Sequence, residues 1–364
     1  MRILIQLPNK ISMSGAPRRL MTLACALHSR GASVVVLCRA NSDAHRMLEQ
    51  SGIEFEPYRS NDSFFIDLFR ANRHAALVAR SYKCSHMIVR GPIGAVRGFL
   101  RPWSVQVKLI LDLDYTRSFS FFLVIATWLA ALRASKIISQ YSGATSIFRK
   151  LPGAEEIQKK TSVLIPGIDL NRARNWRSLR RERKRTPAVR FLMAASIHPR
   201  KDQKKALDQL LGLAKRDPRQ NVILDLCGAS ADKIYAQEIF DIVSKAPSNF
   251  EVNINGWTED LTRFIQSADY LLITSKDEGV PNIAQEAMAA GLPVIAVPSG
   301  GISEIIYHGC TGWLLEEVPI TELINSIDDE IYRQVARNAI DFAEEKFDSL
   351  RWADAYINAI TSNK

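Results

Sequence analysis

Two carboxylates eight residues apart, on either side of a predicted helix start, are the residues of this chain best suited to bind a ligand rich in hydroxyl groups. Glu278 precedes Pro281, and Glu286 lies about one and a half helical turns beyond that proline. The backbone N–H groups available between Val280 and Ile283 would stand at the positive end of the helix dipole, which suits a diphosphate. The carboxylates suit hydroxyls rather than phosphate, so the pattern predicts a nucleotide-sugar site.

A strand, a turn, a helix and a second strand must position these groups. Residues 270–274 form a short apolar run typical of a buried strand. Pro281 suits the first position of a helix because its missing N–H would have no partner there. Residues 282–290 favour a helix, and Gly291 ends it before the apolar run 294–297. The order predicts one half of a parallel α/β layer.

The full string is more specific than the pair of glutamates, which alone would suit many solvated helices. It runs from Glu278 to Val294 as E-G-x-P-x4-E followed by A-x-A-x-G-x-P-V, and its tail holds Gly300, Gly301 and Glu304. This string resembles the donor site of retaining GT-B glycosyltransferases of the family 4 type, the glycosyl transferases group 1. The resemblance implies that Gly279, Val280, Pro281, Asn282 and Glu286 bind the donor.

The same resemblance implies the architecture, an α/β protein with two Rossmann-like domains that face each other across a deep cleft. Residues 163–169 resemble the hinge between such domains, with one residue fewer. We therefore expect an acceptor domain over 1–167 and a nucleotide-sugar donor domain over 168–340. A C-terminal helix within 341–364 is expected to cross back to the first domain.

Two cations near the start of the second domain are candidates for the diphosphate. They follow a predicted strand, residues 190–196, and precede a helix from residue 204. The resemblance implies a lysine here, which Lys201 fits, and an arginine where this chain has Ser196, so Arg200 is expected to substitute from the loop. A departing diphosphate gains negative charge, which such cations stabilise. The alternative is a pair of exposed charges at a helix start.

Gly15 is the candidate phosphate contact in the first domain. It lies between a predicted strand, residues 2–7, and a helix that we expect to begin at Pro17. A glycine lets the backbone approach a phosphate closely. The resemblance implies a small loop facing the diphosphate, although Ser14 replaces the first of the two glycines common there. An ordinary strand-to-helix turn remains the alternative.

Asp112 and Asp114 follow a predicted strand over residues 107–111. D-x-D binds metal in the other large glycosyltransferase fold, but here we expect no metal, and acceptor contacts or loop capping are the alternatives. The resemblance often implies a histidine at the end of this strand, and this chain has none between His86 and His198. Asp112 or Asp114 is expected to fill that role, with Asp114 as the candidate catalytic residue.

Trp257 follows a glycine in a segment that resembles the loop lining the nucleobase. Its indole has two interpretations, and the sequence favours neither. It either packs near the base or covers the core of the second domain.

Composition places the chain among globular proteins with an anionic partner. It has 364 residues, 47% hydrophobic and 24% charged, a net charge of +10, and five cysteines without a C-x-x-C pair, which indicates free thiols in a reducing compartment. No secretory leader is recognisable, and the charge-free run 118–132 is shorter than the ~20 residues of a spanning helix. We expect a cytoplasmic protein, peripheral on the inner face of the membrane.

The arginine-rich stretch 172–190 has two interpretations. It is either a solvated linker face or a surface for anionic lipid, where each basic residue contributes ~1 kcal/mol. The apolar run 118–132 offers a second element for docking.

We expect transfer of a hexose from a UDP- or GDP-type sugar to a hydroxyl of a sugar or lipid-linked acceptor. The resemblance implies retention, synthesis of a cell-surface polysaccharide or glycolipid, and no metal or other cofactor. A sugar-nucleotide epimerase or hydrolase on the same fold is the alternative. A nucleic-acid-binding protein ranks last, because the arginines lie in one segment and only Trp176 interleaves them, so we expect no nucleic acid partner.

Overall fold

The computed structural model describes residues 1–8, 15–59, 64–91, 94, 107–113, 121–180, 188–316 and 319–362. The chain forms two compact units. Unit 1 comprises residues 1–168 together with 347–364, and unit 2 comprises residues 169–346. Each unit has its own parallel sheet and its own core.

Unit 1 is built on a seven-stranded parallel sheet in the order β3-β2-β1-β4-β5-β6-β7. Its central strands are almost wholly buried, as expected when helices cover both faces of a parallel sheet. The strands are β1 (Arg2–Gln6), β2 (Ser33–Arg39), β3 (Glu54–Tyr58), β4 (His86–Arg90), β5 (Lys108–Leu113), β6 (Lys136–Ser139) and β7 (Thr161–Val163).

Two hydrophobic core clusters lie in unit 1, one on each face of the sheet, and each combines residues of the strands with residues of the helices. The described helices of unit 1 are α1 (Gly15–Ser29), α2 (Asp43–Glu49), α3 (Phe64–Ser81), α4 (Phe121–Arg133), α5 (Ala154–Lys159) and, at the C-terminal end, α13 (Ser349–Thr361). Helix α13 packs beside α1 and buries Trp352, Tyr356 and Ile360 in the same cluster as Ile3 and Ile5 of β1.

Unit 2 has a six-stranded parallel sheet in the order β10-β9-β8-β11-β12-β13. Its strands are β8 (Ala188–Ala194), β9 (Asn221–Cys227), β10 (Phe250–Ile254), β11 (Tyr270–Ile273), β12 (Val294–Ala296) and β13 (Trp313–Leu314). Tyr270 lies at the centre of its core, where its ring contacts Phe191, Trp313 and Tyr332.

The described helices of unit 2 are α6 (Leu170–Leu179), α7 (Gln203–Arg216), α8 (Lys233–Val243), α9 (Thr262–Ser267), α10 (Asn282–Ala289), α11 (Ile320–Ser326) and α12 (Asp329–Lys346). Helix α10 packs against α6 and α12. Gly291, which follows α10, has φ +71°, a conformation that suits glycine at a helix C-terminus. The predicted strand–turn–helix–strand unit is therefore present as β11, α10 and β12.

Three boundaries differ from the sequence-based expectation. Strand β5 continues through Asp112 to Leu113, and Asp112 lies opposite Arg90 in the backbone pairing with β4. Helix α1 begins at Gly15 rather than at Pro17. The segment 341–364, expected to hold one helix, contains the end of α12 and all of α13, since the Asp348 side chain accepts from the Arg351 N–H and starts a new helix.

The apolar run 118–132 contributes α4, which has 13 residues. A membrane-spanning helix needs about 20. Within the described ranges, no helix combines the length and the hydropathy needed to cross a bilayer.

Candidate active site

The strand order of unit 2 reverses between β8 and β11. The chain leaves β8 for β9 on one side, whereas β11 lies on the other side and leads to β12. In open α/β sheets, ligands bind at the carboxyl ends of the strands at such a switch point. The loop after β8 carries Lys201, and the loop after β11 carries Glu278. Two residues 77 positions apart in sequence thus belong to one edge of the sheet.

Lys201 and Glu278 form an ion pair, in which the ammonium group Nζ donates a hydrogen bond to carboxylate oxygen Oε1. Their side chains are only 18% and 12% exposed. A pair shielded from solvent to this degree interacts more strongly than a surface pair. Each group fixes the position of the other, so the structure brings together the predicted cation and the predicted carboxylate.

Further hydrogen bonds join the same two loops. The Thr274 hydroxyl Oγ1 donates to the carbonyl oxygens of Lys201 at 3.0 Å and Asp202 at 2.9 Å. The backbone N–H of Lys276 donates to the carbonyl of Arg200 at 3.0 Å, and its Nζ lies 3.2 Å from Asp202 Oδ2. Sequence reasoning assigned no role to Thr274 or Lys276. The sequence signal for Thr274 was a polar residue directly after the apolar run of β11.

Hydrogen bonds between its own residues stabilise the turn that carries Arg200 and Lys201. The imidazole Nδ1 of His198 accepts from the Arg200 N–H at 3.1 Å, and the Gln203 amide donates to the Ser196 carbonyl at 2.9 Å. Asp202 has φ +51°, a left-handed conformation that is uncommon for a residue other than glycine. Such strain persists only where surrounding contacts maintain it, and Thr274 supplies two of them.

Gly301 allows the loop after β12 to lie directly against the Glu278 loop. A Cβ on Gly301 would lie 2.9 Å from the carbonyl oxygen of Gly279 and 2.7 Å from a methyl group of Val280. The Gly301 N–H also donates to the Glu278 carbonyl at 3.3 Å. The Gly-Gly tail of the sequence string therefore supports the backbone of the predicted donor loop.

Gly228, at the end of β9, has a similar function beside the Lys201 loop. A Cβ there would come within 2.0 Å of the Ala195 carbonyl oxygen. Only a glycine lets these two backbone segments approach so closely.

Helix α10 begins one residue later than predicted. Pro281 is the N-cap rather than the first helical residue, with φ −69° and ψ 130°, and its carbonyl accepts from the Ala284 N–H at 3.1 Å. Its extended ψ lets the chain enter the helix from the Glu278 loop. Asn282 is the first residue of the helix, and Glu286, one turn further, is only 7% exposed.

The predicted residues of unit 1 have different outcomes. Gly15 is exposed at the start of α1, and a Cβ there would meet no atom within 4 Å, so its contact with a diphosphate stays a prediction. Asp114 lies outside the described residues. Asp112 is buried and lies 3.1 Å from the Arg90 guanidinium. Burial, together with the charge of Asp112, raises the pKa of the Tyr356 hydroxyl. Asp112 thus belongs to the core of unit 1.

Two other observations bear on the sequence-based alternatives. Trp257 is 62% exposed in the loop after β10, so it does not cover the core. In the part of the chain that the structure describes, no three His, Cys, Asp or Glu side chains come together as a metal site.

Arginines of the basic stretch contact protein groups of unit 2. Arg174 and Arg177 both bind the carboxylate of Glu344, and their hydrogen bonds, first that from Arg174, lower its pKa. Arg180 donates to the Tyr332 hydroxyl at 3.2 Å, and Arg172 donates to the Glu259 carbonyl at 2.9 Å. These arginines therefore bind α6 to neighbouring segments of unit 2. Residues 181–187 of the stretch lie outside the described residues.

Comparison with known proteins gives one family match. Residues 175–344 match the family model described as "Glycosyl transferases group 1". Among curated proteins, N-acetyl-alpha-D-glucosaminyl L-malate synthase of Bacillus anthracis is 30% identical over 106 residues, 28% of each protein. The amylovoran biosynthesis glycosyltransferase AmsK of Erwinia amylovora is 42% identical over 65 residues, 16% of each. The chain thus matches well under half the length of these relatives.

Similarity to solved structures extends over the whole chain. The structure of Anabaena Alr3699/HepE in complex with UDP and glucose matches with a TM-score of 0.82 at 22% identity, and covers 99% of both chains. The same protein is also known in complex with UDP-glucose. At this level of identity the similarity establishes the fold, so the predicted α/β class and GT-B architecture are confirmed.

Proposed function

We propose that this protein is a glycosyltransferase, because residues 175–344 match the glycosyl transferases group 1 model in a chain with the GT-B fold. The proposal rests on one observation above all: the Lys201–Glu278 pair lies at the switch point of the sheet, next to the start of α10. The relatives matched in sequence include a glycosyltransferase of amylovoran biosynthesis. We therefore place the activity in the synthesis of a polysaccharide or a glycolipid.

We propose a nucleoside diphosphate hexose, of the UDP or GDP type, as the donor. Its diphosphate would lie at the positive end of α10, near Gly279, Val280 and Asn282. Glu286 would accept hydrogen bonds from the ribose diol, and Glu278 would accept them from the sugar. The structure of Alr3699/HepE with UDP and glucose, a protein of the same fold, supports this donor class.

Lys201, with Arg200 beside it, would stabilise the leaving diphosphate. As the bond between the anomeric carbon and the diphosphate breaks, negative charge grows on the departing oxygen, and a fixed cation lowers the energy of that state. The hydroxyl of the acceptor forms the new bond, and its proton passes to the departing phosphate oxygen. Attack on the same face gives retention. This reaction needs no metal, since protein cations and the helix dipole meet the charge of the diphosphate.

The decisive test combines donor binding with product analysis. The midpoint temperature of thermal unfolding is measured with UDP-glucose and with GDP-mannose, and the correct donor should raise it. At a hundredfold excess of donor over Kd, the free energy of unfolding should increase by about 2.7 kcal/mol. Incubation of that donor without an acceptor should leave it largely intact, whereas an added sugar or lipid-linked acceptor should release the nucleoside diphosphate. An epimerised or rapidly hydrolysed donor would instead establish the alternative enzyme class.

Contact with an anionic membrane through residues 172–190 is a secondary proposal. Its support is the basic charge of the stretch, although the arginines on α6 already contact protein groups. Co-sedimentation with phosphatidylglycerol vesicles at low salt is the expected result. A protein that stays in the supernatant under those conditions has no such contact.

A further inference from the structure

A pocket of about 330 Å³ opens in unit 1 between the end of β3 and helix α3. Its volume falls at the lower end of the range typical of small-molecule sites. The lining residues come from two short segments, Pro57, Tyr58 and Arg59 on one side and Arg73, His74 and Leu77 on the other.

The pocket carries positive charge that the described part of the chain does not neutralise. Arg59 and Arg73 are both exposed. The acidic residues of β3 are engaged elsewhere, since Glu54 pairs with Arg2 and Glu56 accepts a hydrogen bond from the Tyr82 hydroxyl at 2.7 Å. Two guanidinium groups in one concave surface are suited to an anion with several acceptor oxygens.

His74 adds a buried polar atom at the same place. Its Nε2 is buried and has no hydrogen-bond partner within the described structure. A buried polar atom without a partner is destabilising unless a ligand or a water satisfies it. An oxygen of a bound anion would accept a hydrogen bond from Nε2–H.

The remaining wall of the pocket is apolar. Leu77 is 54% exposed, which is high for an apolar side chain. Pro57 and Tyr58 line the pocket from the other segment. An inorganic anion alone would leave this surface in contact with water. A ligand that carries an apolar or ring-shaped group beside its charge would cover it.

We propose that this pocket binds a phosphate ester, with the phosphate held by Arg59, Arg73 and His74 and the attached group packed on Tyr58 and Leu77. Phosphate has the charge and the acceptor oxygens that two forked guanidinium groups bind best. The site lies wholly in unit 1, whereas the Lys201–Glu278 pair belongs to unit 2. Its lining residues are therefore distinct from that pair.

Phenyl phosphate is a suitable probe, because it joins a phosphate to one ring. Isothermal titration of the full chain, without any sugar nucleotide, should give saturable binding, and inorganic phosphate should bind more weakly. Arg73→Glu should weaken phenyl phosphate binding by about tenfold or more, since it replaces an attractive charge by a repulsive one. Arg80→Glu is the matched control, because Arg80 is also exposed on α3 but does not line the pocket.

Equal binding by wild type, Arg73→Glu and Arg80→Glu would overturn the proposal, as would the absence of saturable binding by the wild type. Folding of each variant is checked by its thermal unfolding curve.

Vesicles separate two sources of the phosphate. If it belongs to a lipid headgroup, Arg73→Glu and not Arg80→Glu should reduce flotation with phosphatidic acid vesicles. If the phosphate belongs to a soluble ester, both variants should float with the vesicles like wild type, and only Arg73→Glu should show weakened binding of phenyl phosphate.

Discussion

At the residue scale, the proposed function depends on an ion pair between residues that are distant in sequence. Lys201 and Glu278 shield each other from solvent, and each would be left without its partner if the other were removed. Breaking one side of a partly buried pair usually costs more than the pair contributes, because a charge remains uncompensated. The pair therefore fixes the positions of both side chains, and in our proposal it also supplies the chemistry of the site.

We expect Glu278→Ala to lower turnover and Glu286→Ala mainly to weaken donor binding. A lost hydrogen bond to a charged group costs about 1.5–3 kcal/mol, which corresponds to roughly 10- to 100-fold. Steady-state kinetics should show a reduced kcat for the first variant and a raised donor KM for the second. Glu322→Ala, at an exposed glutamate of α11, is the control and should behave like wild type. Full activity in both site variants would refute the assignment.

The cysteines give a second prediction at this scale. Burial raises the pKa of Cys84 to about 11 and that of Cys38 and Cys227 to about 12, whereas Cys25 and Cys310 are exposed. Iodoacetamide at pH 8 should therefore modify Cys25 and Cys310 in the native protein and leave the other three intact, as peptide mass spectrometry can show. Rapid labelling of Cys38 or Cys227 would mean that the strands holding them open readily.

At the element scale, three loops of unit 2 are fastened to one another at the carboxyl edge of the sheet. The Glu278 loop is bonded to the Lys201 loop by Thr274, and it rests on the loop after β12 at Gly301. Because backbone contacts hold it from both sides, the Glu278 carboxylate has a defined position before any donor binds. Such preorganisation reduces the free energy lost on binding.

We expect Gly301→Ala to disturb this arrangement. The new methyl group would press on the backbone of Gly279, which cannot yield as a flexible side chain would, at a cost of typically 1–3 kcal/mol. Thermal unfolding should show the loss of stability, and donor binding should weaken with it.

Gly212→Ala is the matched control for this prediction. Gly212 lies inside α7 with open space around its Cβ position, so alanine there should stabilise the helix by up to about 1 kcal/mol. If Gly301→Ala proved as stable and as active as Gly212→Ala, the loops would not be coupled as we infer.

At the scale of the whole molecule, the chain returns to its first unit after completing its second. Residues 347–364 belong to unit 1, where α13 contributes Trp352, Tyr356 and Ile360 to the core. Unit 1 is therefore incomplete until the last residues of the chain have docked. Gly167 supports this return, since a Cβ there would come within 2.6 Å of the Ser349 backbone.

Trp352→Ala should destabilise unit 1 and leave unit 2 largely unaffected. Trp352 is 4% exposed, and the loss of such a side chain from a core costs about 3–5 kcal/mol. Hydrogen exchange should become faster in β1, β2 and β4 but stay unchanged in β8 and β9. Asn358→Ala, at an exposed position of the same helix, should exchange like wild type. Equal acceleration in both sheets would show that the two units unfold together.

The local elements and their order could be predicted from the sequence alone. Periodic apolar runs and turn residues predicted β11, α10 and β12 within one or two residues, because these signals depend on neighbours in the chain. The string from Glu278 to Val294 also indicated the correct fold. The extension of β5 through Asp112 was missed, since it depends on backbone pairing with β4, and the start of α10 was predicted one residue early.

Which distant residues come into contact depends on the folded arrangement of the strands. That β8 and β11 are neighbours brings Lys201 to Glu278, and no local signal encodes a pairing between residues 77 positions apart. The same holds for the arginines of α6, which the sequence left open between linker and membrane surface and which the structure joins to groups such as Glu344 and Tyr332. The partner of a charged residue cannot be predicted from its neighbours in sequence, because contacts between distant residues form only when the strand order of the sheet is fixed.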